Sequence, residues 1–206
     1  MNITTRLVLI RHGEVEARYQ RVFGGRIDMD LSPLGREQAR RVAEHLRTTH
    51  FDAVYASPLR RAQQTVAALA ATNGYAPVVV DELREVDFGA WTGLTWDEVH
   101  ARFGVSAFDW LAELSRNGIA GAEPAADFCG RAARVLQRVV PAHRGQTVAL
   151  VCHGGVIRML LSQLLTLPLP AMAHFEVDYA SISLVWCRPH RAELKLLNHT
   201  PWTHQP

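Results

Sequence analysis

The sequence predicts an α/β fold, a three-layer sandwich in which a mostly parallel central sheet carries helices on both faces. Short apolar runs of strand length alternate along the chain with longer stretches that repeat apolar residues at helical spacing. This alternation is typical of strand–helix–strand units, which build parallel sheets that are covered on both sides. With 206 residues the chain has the length of one domain, and we predict a single domain over 1–206.

The first part of the chain supplies three predicted strands and two predicted helices. Residues 5–10 hold an apolar run of the length of a buried strand. A helix over 32–49 follows, because Ser32 is a suitable N-cap and Pro33 a suitable first helical residue. A strand at 52–56, a helix over 58–72 and a Val-rich strand at 77–80, expected in the core, come next.

The segment 81–124 interrupts the regular pattern. It combines several glycines with Trp91, Trp96 and Trp110 and shows neither helical nor strand periodicity. We predict a small insertion of short helices near the active site, a candidate lid, whose Trp residues pack the insertion rather than contact a ligand. The pattern then resumes with a helix over 125–140 ending near Pro141, a strand at 147–151, a helix to about 166 and closing strands at 181–186 and 193–197.

The composition argues against several classes of protein. Hydrophobic residues make up 48% and charged residues 20% of the chain, which are globular values, and the formal net charge is +2. Because the Arg residues are spread along the chain, this balance predicts neither a nucleic-acid nor a membrane partner. Three Cys without paired spacing and an N-terminus without a signal-peptide pattern predict a reducing, cytoplasmic location.

Three predicted strand-to-helix junctions carry the residues that suggest chemistry. The first holds Arg11 and His12, the second Arg60 and Arg61, and the third His153 followed by two glycines. Since the carboxyl ends of parallel strands meet at one sheet edge, we expect these side chains to converge on one pocket. Arg donors and glycine-rich helix starts suit phosphate. No acidic cluster has the spacing of metal ligands, so we expect no metal and no cofactor.

Four motifs follow one another along the chain and carry a family resemblance. They are Leu-Ile-Arg11-His12-Gly13-Glu14, Ser57-x-Leu59-x-Arg61-Ala62-x-x-Thr65, Leu83-Arg84-Glu85-x-x-Phe88-Gly89-x-Trp91-x-Gly93 and Val151-Cys152-His153-Gly154-Gly155-x-x-Arg158. In this order, and over essentially the whole chain, they resemble the histidine phosphatase superfamily, the phosphoglycerate mutase-like group. The spacing of the second motif favours Arg61 over its neighbour Arg60 for the phosphate role.

The resemblance implies metal-independent hydrolysis of a phosphomonoester. His12 would attack phosphorus to form a phosphohistidine, while Arg11, Arg61 and His153 would bind the phosphoryl oxygens. Glu85 would protonate the leaving oxygen and then activate water. These five residues are the predicted catalytic set. The predicted substrate-binding residues are Arg11, Gly13, Glu14, Arg18, Gly24, Arg61, His153 and Gly154, with Glu14 alternatively a loop-edge residue.

Departures from the family's pattern bear on the substrate. The family often has Asn six residues after the catalytic His, where this chain has Arg18, which either replaces that Asn or points into solvent. The Phe-Thr-Gly stretch of phosphoglycerate mutases is Phe23-Gly24-Gly25 here, and the long mutase insertion is missing. We therefore expect a phosphatase acting on a small phosphorylated metabolite. The chain looks closest to the α-ribazole phosphatase branch, which makes α-ribazole phosphate a candidate and a phosphoglycerate mutase the alternative.

Two further hypotheses stay open. Cys152 and Arg158 are separated by five residues between a strand and a helix, as in cysteine phosphatases, although Met159 stands where such loops usually carry Ser or Thr. The other hypothesis is a phospho-ligand binding module that has lost turnover, which the presence of a nucleophile and an acid disfavours. The predicted partner is a small-molecule phosphomonoester, and a homodimer is one option for assembly.

Overall fold

A computed structural model describes residues 3–203 and shows a six-stranded sheet with helices on both faces. The strand order is β3-β2-β4-β1-β5-β6. Strands β1 to β4 run parallel, whereas β5 runs antiparallel to both of its neighbours. The mostly parallel α/β fold is therefore confirmed. The strands are β1 (Thr5–Arg11), β2 (Ala53–Ala56), β3 (Val78–Val79), β4 (Thr147–Cys152), β5 (Ile182–Arg188) and β6 (Arg191–His199).

The helices connect these strands in the predicted places. They are α1 (Pro33–His45), α2 (Arg60–Asn73), α3 (Trp96–Phe103), α4 (Trp110–Ser115), α5 (Ala125–Ala142) and α6 (Gly154–Leu165). Ser32 caps α1 by accepting a hydrogen bond from the Gly35 backbone nitrogen, as its sequence position predicts. Within the described part of the chain, every helix is too short or too polar to cross a membrane.

The first strand explains why helices cover both faces of the sheet. Side chains alternate along a strand, so β1 sends Leu7 and Leu9 into the core formed with α5 and α6. Val8 and Ile10 enter the opposite core, formed with α1 and α2. Each of the four is at most 6% exposed, and burying one such side chain contributes about 1.5–3 kcal/mol. This burial holds β1, and the turn behind it, in a fixed position.

Element boundaries differ from the sequence-based prediction in three places. The first helix ends at His45 rather than at 49, and α5 continues through Pro141 to Ala142. The Val-rich strand predicted for the core is the short edge strand β3, and Val78 and Val79 are 52% and 54% exposed. A one-sided pairing at a sheet edge explains that exposure. The predicted domain limits, 1 and 206, lie outside the described residues.

The segment 81–124 folds as short helices that pack against the sheet domain. In addition to α3 and α4 it contains 3₁₀ turns at Asp81–Leu83, Gly89–Trp91 and Ala107–Asp109. A capping box starts α3, because the Thr95 hydroxyl accepts from the Glu98 backbone nitrogen while the Glu98 carboxylate accepts from that of Thr95. Trp91 is buried in the core shared with α5 and α6. The insertion is thus anchored from below by its own apolar residues.

Candidate active site

A cavity of about 320 Å³ opens at the carboxyl ends of β1 and β4. Arg11 ends β1 and His12 follows it, and the His12 backbone nitrogen donates to the Cys152 carbonyl at the end of β4. Arg61, from the first turn of α2, reaches the same place. The structure therefore brings all three predicted junctions together. Of the predicted site residues, those that line the cavity are Arg11, His12, Gly24, Arg61, Glu85 and Gly154.

His12 is held as a neutral imidazole with a defined tautomer. Its Nδ1 lies 2.8 Å from the Gly13 carbonyl oxygen, which can only accept, so Nδ1 carries the proton. Its Nε2 lies 3.2 Å from Arg61 Nε, which can only donate. Burial, followed by the charges of Arg61 and Arg11, lowers the pKa of His12 well below the ordinary 6.5. The lone pair of Nε2 is therefore available at neutral pH.

Arg61 is the arginine at the centre of the site. Its Nη1 and Nη2 donate to the carbonyls of Ile27 and Gly25, each at 2.8 Å, and its side chain is almost wholly buried. Burial lowers its pKa to about 10, which still leaves the guanidinium charged at neutral pH. Arg60, the neighbouring candidate, instead pairs at the surface with Asp28 and Asp30. The structure thus places Arg61, not Arg60, against His12.

His153 lies behind Arg61 and contributes no surface to the cavity. Its Nε2 lies 2.7 Å from the Ser57 hydroxyl and its Nδ1 lies 3.2 Å from the same Arg61 Nε that approaches His12. Since Arg61 only donates, Nδ1 accepts and Nε2 donates to Ser57. Burial and the charge of Arg61 lower the pKa of His153 well below 6.5. The two imidazole rings are 5.1 Å apart, centroid to centroid.

Arg11 and Arg158 add two more cations to the cavity. Arg11 Nη1 donates to the Val177 carbonyl at 2.6 Å, and its guanidinium carbon lies 4.0 Å from the Tyr179 ring centroid. Arg158 Nη2 donates to the Phe175 carbonyl at 3.0 Å, and burial lowers its pKa to about 10. Among the described residues, neither Nε atom has a hydrogen-bond partner although both are buried. Two unsatisfied donors at the wall of a cavity are suited to an incoming anion.

Arg158 belongs to the fourth motif, but the sequence-based prediction does not include it among the substrate-binding residues. It lies one helical turn after Gly154 on α6, on the cavity side. The spacing of four residues on one helix could have identified it, because such residues share a face. Tyr179 also lines the cavity, and no motif marks it.

Glu85 stands in the cavity wall with both carboxyl oxygens occupied by backbone donors. Oε1 accepts from the Val86 nitrogen and Oε2 from the Gly155 nitrogen at the start of α6, each at 3.0 Å. A Cβ on Gly155 would approach Glu85 Oε1 to 2.5 Å, so a larger residue there would displace the carboxyl group. The insertion and the junction between β4 and α6 therefore meet at this carboxyl group.

Arg131 of α5 fixes the turn that carries Glu85. Its Nη1 donates to the carbonyls of Glu82 and Arg84, at 2.7 and 2.6 Å. Its Nε and Nη2 form a two-pronged ion pair with Glu123, at 2.6 and 2.9 Å. Both side chains are more than nine-tenths buried. Sequence reasoning missed this residue, because its partners are distant along the chain and arginines on amphipathic helices usually face water.

Besides His153, three predicted substrate-binding residues lie away from the cavity surface. The Gly13 nitrogen donates to the Thr65 hydroxyl and its carbonyl accepts from His12, so Gly13 supports His12 instead. Glu14 accepts from the Ser32 hydroxyl, as its loop-edge alternative implies. The Arg18 side chain is 69% exposed and pairs with Glu16, so it points into solvent. The prediction of Arg18 as a phosphate ligand is therefore corrected.

The Trp residues of the insertion separate into two roles. Trp91 packs in the core, as predicted for all three. Trp96 and Trp110 instead line the cavity, together with Phe108. Helical periodicity is too short-ranged in this segment to show which face of each small helix points inward. The expectation that these Trp residues avoid the ligand site is therefore corrected for Trp96 and Trp110.

The structure does not support Cys152 as a nucleophile. Its side chain is fully buried, belongs to the core cluster and does not line the cavity. Burial raises its pKa far above the ordinary value, so the group is a thiol rather than a reactive thiolate. Within residues 3–203 no group of three or more His, Cys, Asp or Glu side chains is arranged to hold a metal ion.

Comparison with known proteins places the chain in a family. The model of the histidine phosphatase superfamily (branch 1) matches residues 7–200. Phosphoserine phosphatase 1 of Hydrogenobacter thermophilus is 32% identical, covering 95% of this chain and 92% of its own. The adenosylcobalamin/alpha-ribazole phosphatase of Escherichia coli is 32% identical over 94% and 95%. The solved structure of mycobacterial glucosyl-3-phosphoglycerate phosphatase aligns with a TM-score of 0.86 at 29% identity, covering 95% and 99%.

Proposed function

The chain belongs to branch 1 of the histidine phosphatase superfamily and is a phosphatase of that type, and on this premise we propose that it hydrolyses small phosphomonoesters through a phosphohistidine at His12, without a metal. The observation that carries the proposal is the state of His12. Its Nδ1 donates to the Gly13 carbonyl, and its unprotonated Nε2, which accepts from Arg61 Nε, belongs to a ring that lines the same cavity as Arg11, Arg61 and Arg158. A neutral nucleophile beside three cations is suited to attack on a phosphate dianion.

In the first step His12 Nε2 attacks phosphorus while the bond from phosphorus to the leaving oxygen breaks. Arg11 and Arg61 stabilise the charge on the phosphoryl oxygens. The ring centroid of His153 lies 5.1 Å from that of His12, and its Nδ1 can donate to a phosphoryl oxygen only when it carries a proton in place of the hydrogen bond from Arg61 Nε. Glu85, protonated for this step, gives its proton to the leaving oxygen. The alcohol product then departs.

In the second step water attacks phosphorus and the bond from phosphorus to His12 Nε2 breaks. Glu85, now a carboxylate, takes the proton from that water, which restores its starting state. Inorganic phosphate leaves, and neutral His12 is regenerated. The same carboxyl group serves both steps because the backbone nitrogens of Val86 and Gly155 hold it beside the cavity throughout.

The candidate substrate is a small phosphorylated metabolite, and α-ribazole phosphate is one that the E. coli relative's name suggests. Other relatives are named for phosphoserine and for glucosyl-3-phosphoglycerate. The four motifs are common to this group of enzymes and do not distinguish between these substrates. We also propose that the protein acts in the cytoplasm and that its partner is a small phosphomonoester.

The test compares His12→Ala with Cys152→Ala on 4-nitrophenyl phosphate in the presence of a chelator. We expect wild-type protein and Cys152→Ala to turn over, and His12→Ala to lose activity by a factor on the order of 10⁶, as loss of a nucleophile does in other enzymes. Acid-labile phosphate on wild-type protein, absent from His12→Ala, would identify the intermediate.

Four results would contradict the proposal. Strict dependence on added Mg²⁺ would argue for a different mechanism. Activity lost in the Cys152 variant but kept in His12→Ala would move the nucleophile to the thiol. Binding of vanadate without hydrolysis of any phosphomonoester would indicate a binding module. Transfer of phosphate between hydroxyl groups of phosphoglycerate, measured in parallel, would indicate a mutase.

A further inference from the structure

We infer that one wall of the cavity selects phosphomonoesters whose leaving group carries a planar, uncharged ring, as in a nucleoside-like phosphate. This inference rests on the proposed function and narrows its substrate class. The wall consists of Trp96, Phe108 and Trp110 of the insertion, and it is called the aromatic wall below. The aromatic wall lines the same cavity as His12. One substrate can therefore contact the wall with its leaving group while its phosphate lies at His12.

The rings of the aromatic wall are held in fixed orientations. Trp96 and Phe108 meet edge to face with centroids 5.5 Å apart, and Trp110 meets Phe88 in the same way at 5.3 Å. The guanidinium carbon of Arg21 lies 5.3 Å from the Trp96 centroid. Edge-to-face pairs and cation–π contacts restrict the ring planes. A planar ligand therefore meets preorganised surfaces rather than mobile side chains.

Phe108 has the most to gain from a ligand. Its side chain is 72% exposed, the largest exposed fraction among the large hydrophobic side chains in residues 3–203, yet it lines the cavity. Stacking a planar ring on it would remove apolar surface from water on both partners. At the phosphate end the cavity lining includes the polar groups of Arg11, His12 and Arg61, which suit a phosphate rather than a neutral ring.

The charges near the cavity mouth disfavour a carboxylate on the leaving group. Glu176 and Asp178 are exposed and line the cavity. Asp178 is held in place by the Asn198 side-chain amide, at 2.8 Å. Both carboxylates act electrostatically on Arg158, so the cation beside them is already offset. A substrate with its own carboxylate would meet two like charges there, whereas a neutral ring would not.

Two pairs of substrates isolate these features in the wild-type protein. Adenosine 5′-monophosphate and ribose 5-phosphate differ by the planar base, and phosphoethanolamine and phosphoserine differ by the carboxylate. We expect kcat/KM to be about tenfold higher for adenosine 5′-monophosphate than for ribose 5-phosphate, through KM, as one stacked base supplies. We also expect phosphoserine to be a poorer substrate than phosphoethanolamine.

Phe108→Ala and Phe103→Ala form the matched pair of variants. Both residues are exposed aromatics of the insertion, but Phe103 does not line the cavity. Phe108→Ala should lower kcat/KM for adenosine 5′-monophosphate by about tenfold and by clearly less for ribose 5-phosphate. Phe103→Ala should leave the ratio of the two unchanged. Because Phe108 is largely exposed, its removal does not open the core.

The outcomes separate this inference from the proposed function. Equal kcat/KM for the two members of each substrate pair would overturn the role of the aromatic wall and leave the phosphatase activity in place. An equal loss of kcat/KM for adenosine 5′-monophosphate and ribose 5-phosphate in Phe108→Ala would do the same. Preference for phosphoserine that is lost in Arg158→Met would also overturn it, since Arg158 would then bind a carboxylate. Failure to hydrolyse any of these esters or 4-nitrophenyl phosphate would overturn the proposed function and this inference together.

Discussion

The phosphoryl end of the cavity is built on the sheet, whereas the leaving-group end is built on the insertion 81–124. At the sheet edge His12 follows a strand packed on both faces, and Arg61 and His153 are buried beside it. In the insertion the cavity-lining rings come from short helices, and Phe108 is largely in water. The difference indicates that the core fixes the positions of His12, Arg61 and His153, while the cavity-lining rings of the insertion are only partly buried.

Glu85 is the exception that connects the two regions. It belongs to the insertion, yet its carboxyl is held by the backbone of α6 and its turn is held by Arg131 of α5. In the proposed mechanism, proton transfer depends on this one residue of the insertion. That dependence makes the contact between insertion and sheet the place to test the comparison.

The largest effect expected from that contact is in Glu85→Gln. The amide keeps an oxygen acceptor but can neither give nor take the proton, so kcat should fall by a factor of about 10²–10⁴. The fall should be greater for an alkyl phosphate than for 4-nitrophenyl phosphate, whose leaving group needs less protonation. An unchanged kcat for alkyl esters would show that the insertion supplies no chemistry.

A somewhat smaller loss is expected in Arg61→Met, at the sheet edge. Removing the central guanidinium should lower kcat/KM by a factor of about 10²–10³, the size seen when one charge-stabilising donor is lost. Arg60→Met is the matched control, because Arg60 is its exposed neighbour on α2. Arg61→Lys, which keeps the charge, separates loss of charge from misfolding. Comparable losses in the Arg60 and Arg61 variants would mean that burial at the sheet edge does not decide the role.

Arg131→Met should affect the insertion through stability first and activity second. Removing one partner of a buried ion pair leaves Glu123 uncompensated and should cost about 3–5 kcal/mol in the free energy of unfolding. The loosened turn should also lower kcat more than it raises KM, because Glu85 loses its position. Arg138→Met is the control. Arg138 lies on the same helix as Arg131, is half-exposed, and pairs with Glu82 at 3.8 Å. Denaturant unfolding measures the first effect, and steady-state kinetics the second.

The smallest expected effect is the contribution of two buried histidines of the site to the pH dependence of stability. His12 and His153 have pKa values depressed below 6.5 in the folded protein. Below pH 6.5 the unfolded chain binds protons that the folded protein does not, so stability is full above that pH and is lost as pH falls toward the folded values. Each histidine contributes a slope of up to about 1.4 kcal/mol per pH unit.

Chemical unfolding between pH 4.5 and 7.5 measures that slope. His153→Asn should make the acid-side slope shallower by one histidine's share. His50→Asn, which alters a surface histidine with an 82% exposed side chain, should keep the wild-type slope. A slope unaffected by either variant would indicate that the buried histidines are protonated in the folded protein.

The sequence alone carried the fold class and the location of the chemistry. The run Leu7–Ile10 predicts a buried strand because of its length and composition, and Ser32 with Pro33 predicts the start of α1 by local capping. Four motifs at fixed spacing identified the family and its nucleophile candidate. These features depend on residues close together in the chain, so they can be predicted without knowing the tertiary contacts. The substrate is not encoded in this way, because two relatives at the same identity to this chain, 32%, are named for different compounds.

What only the tertiary structure decided is which side chains meet in the cavity. Strand β4 lies between β1 and β2 in the sheet, although it comes long after both in the chain. That order brings His153 to Arg61. Contacts outside the sheet place the Arg131 guanidinium against the turn that carries Glu85, put Trp96 in the cavity wall and leave Arg18 in water. Such contacts depend on packing between distant segments, and short helices carry too little periodicity to reveal which face points inward. The sequence therefore identified the candidate nucleophile, and the tertiary structure decided its surroundings.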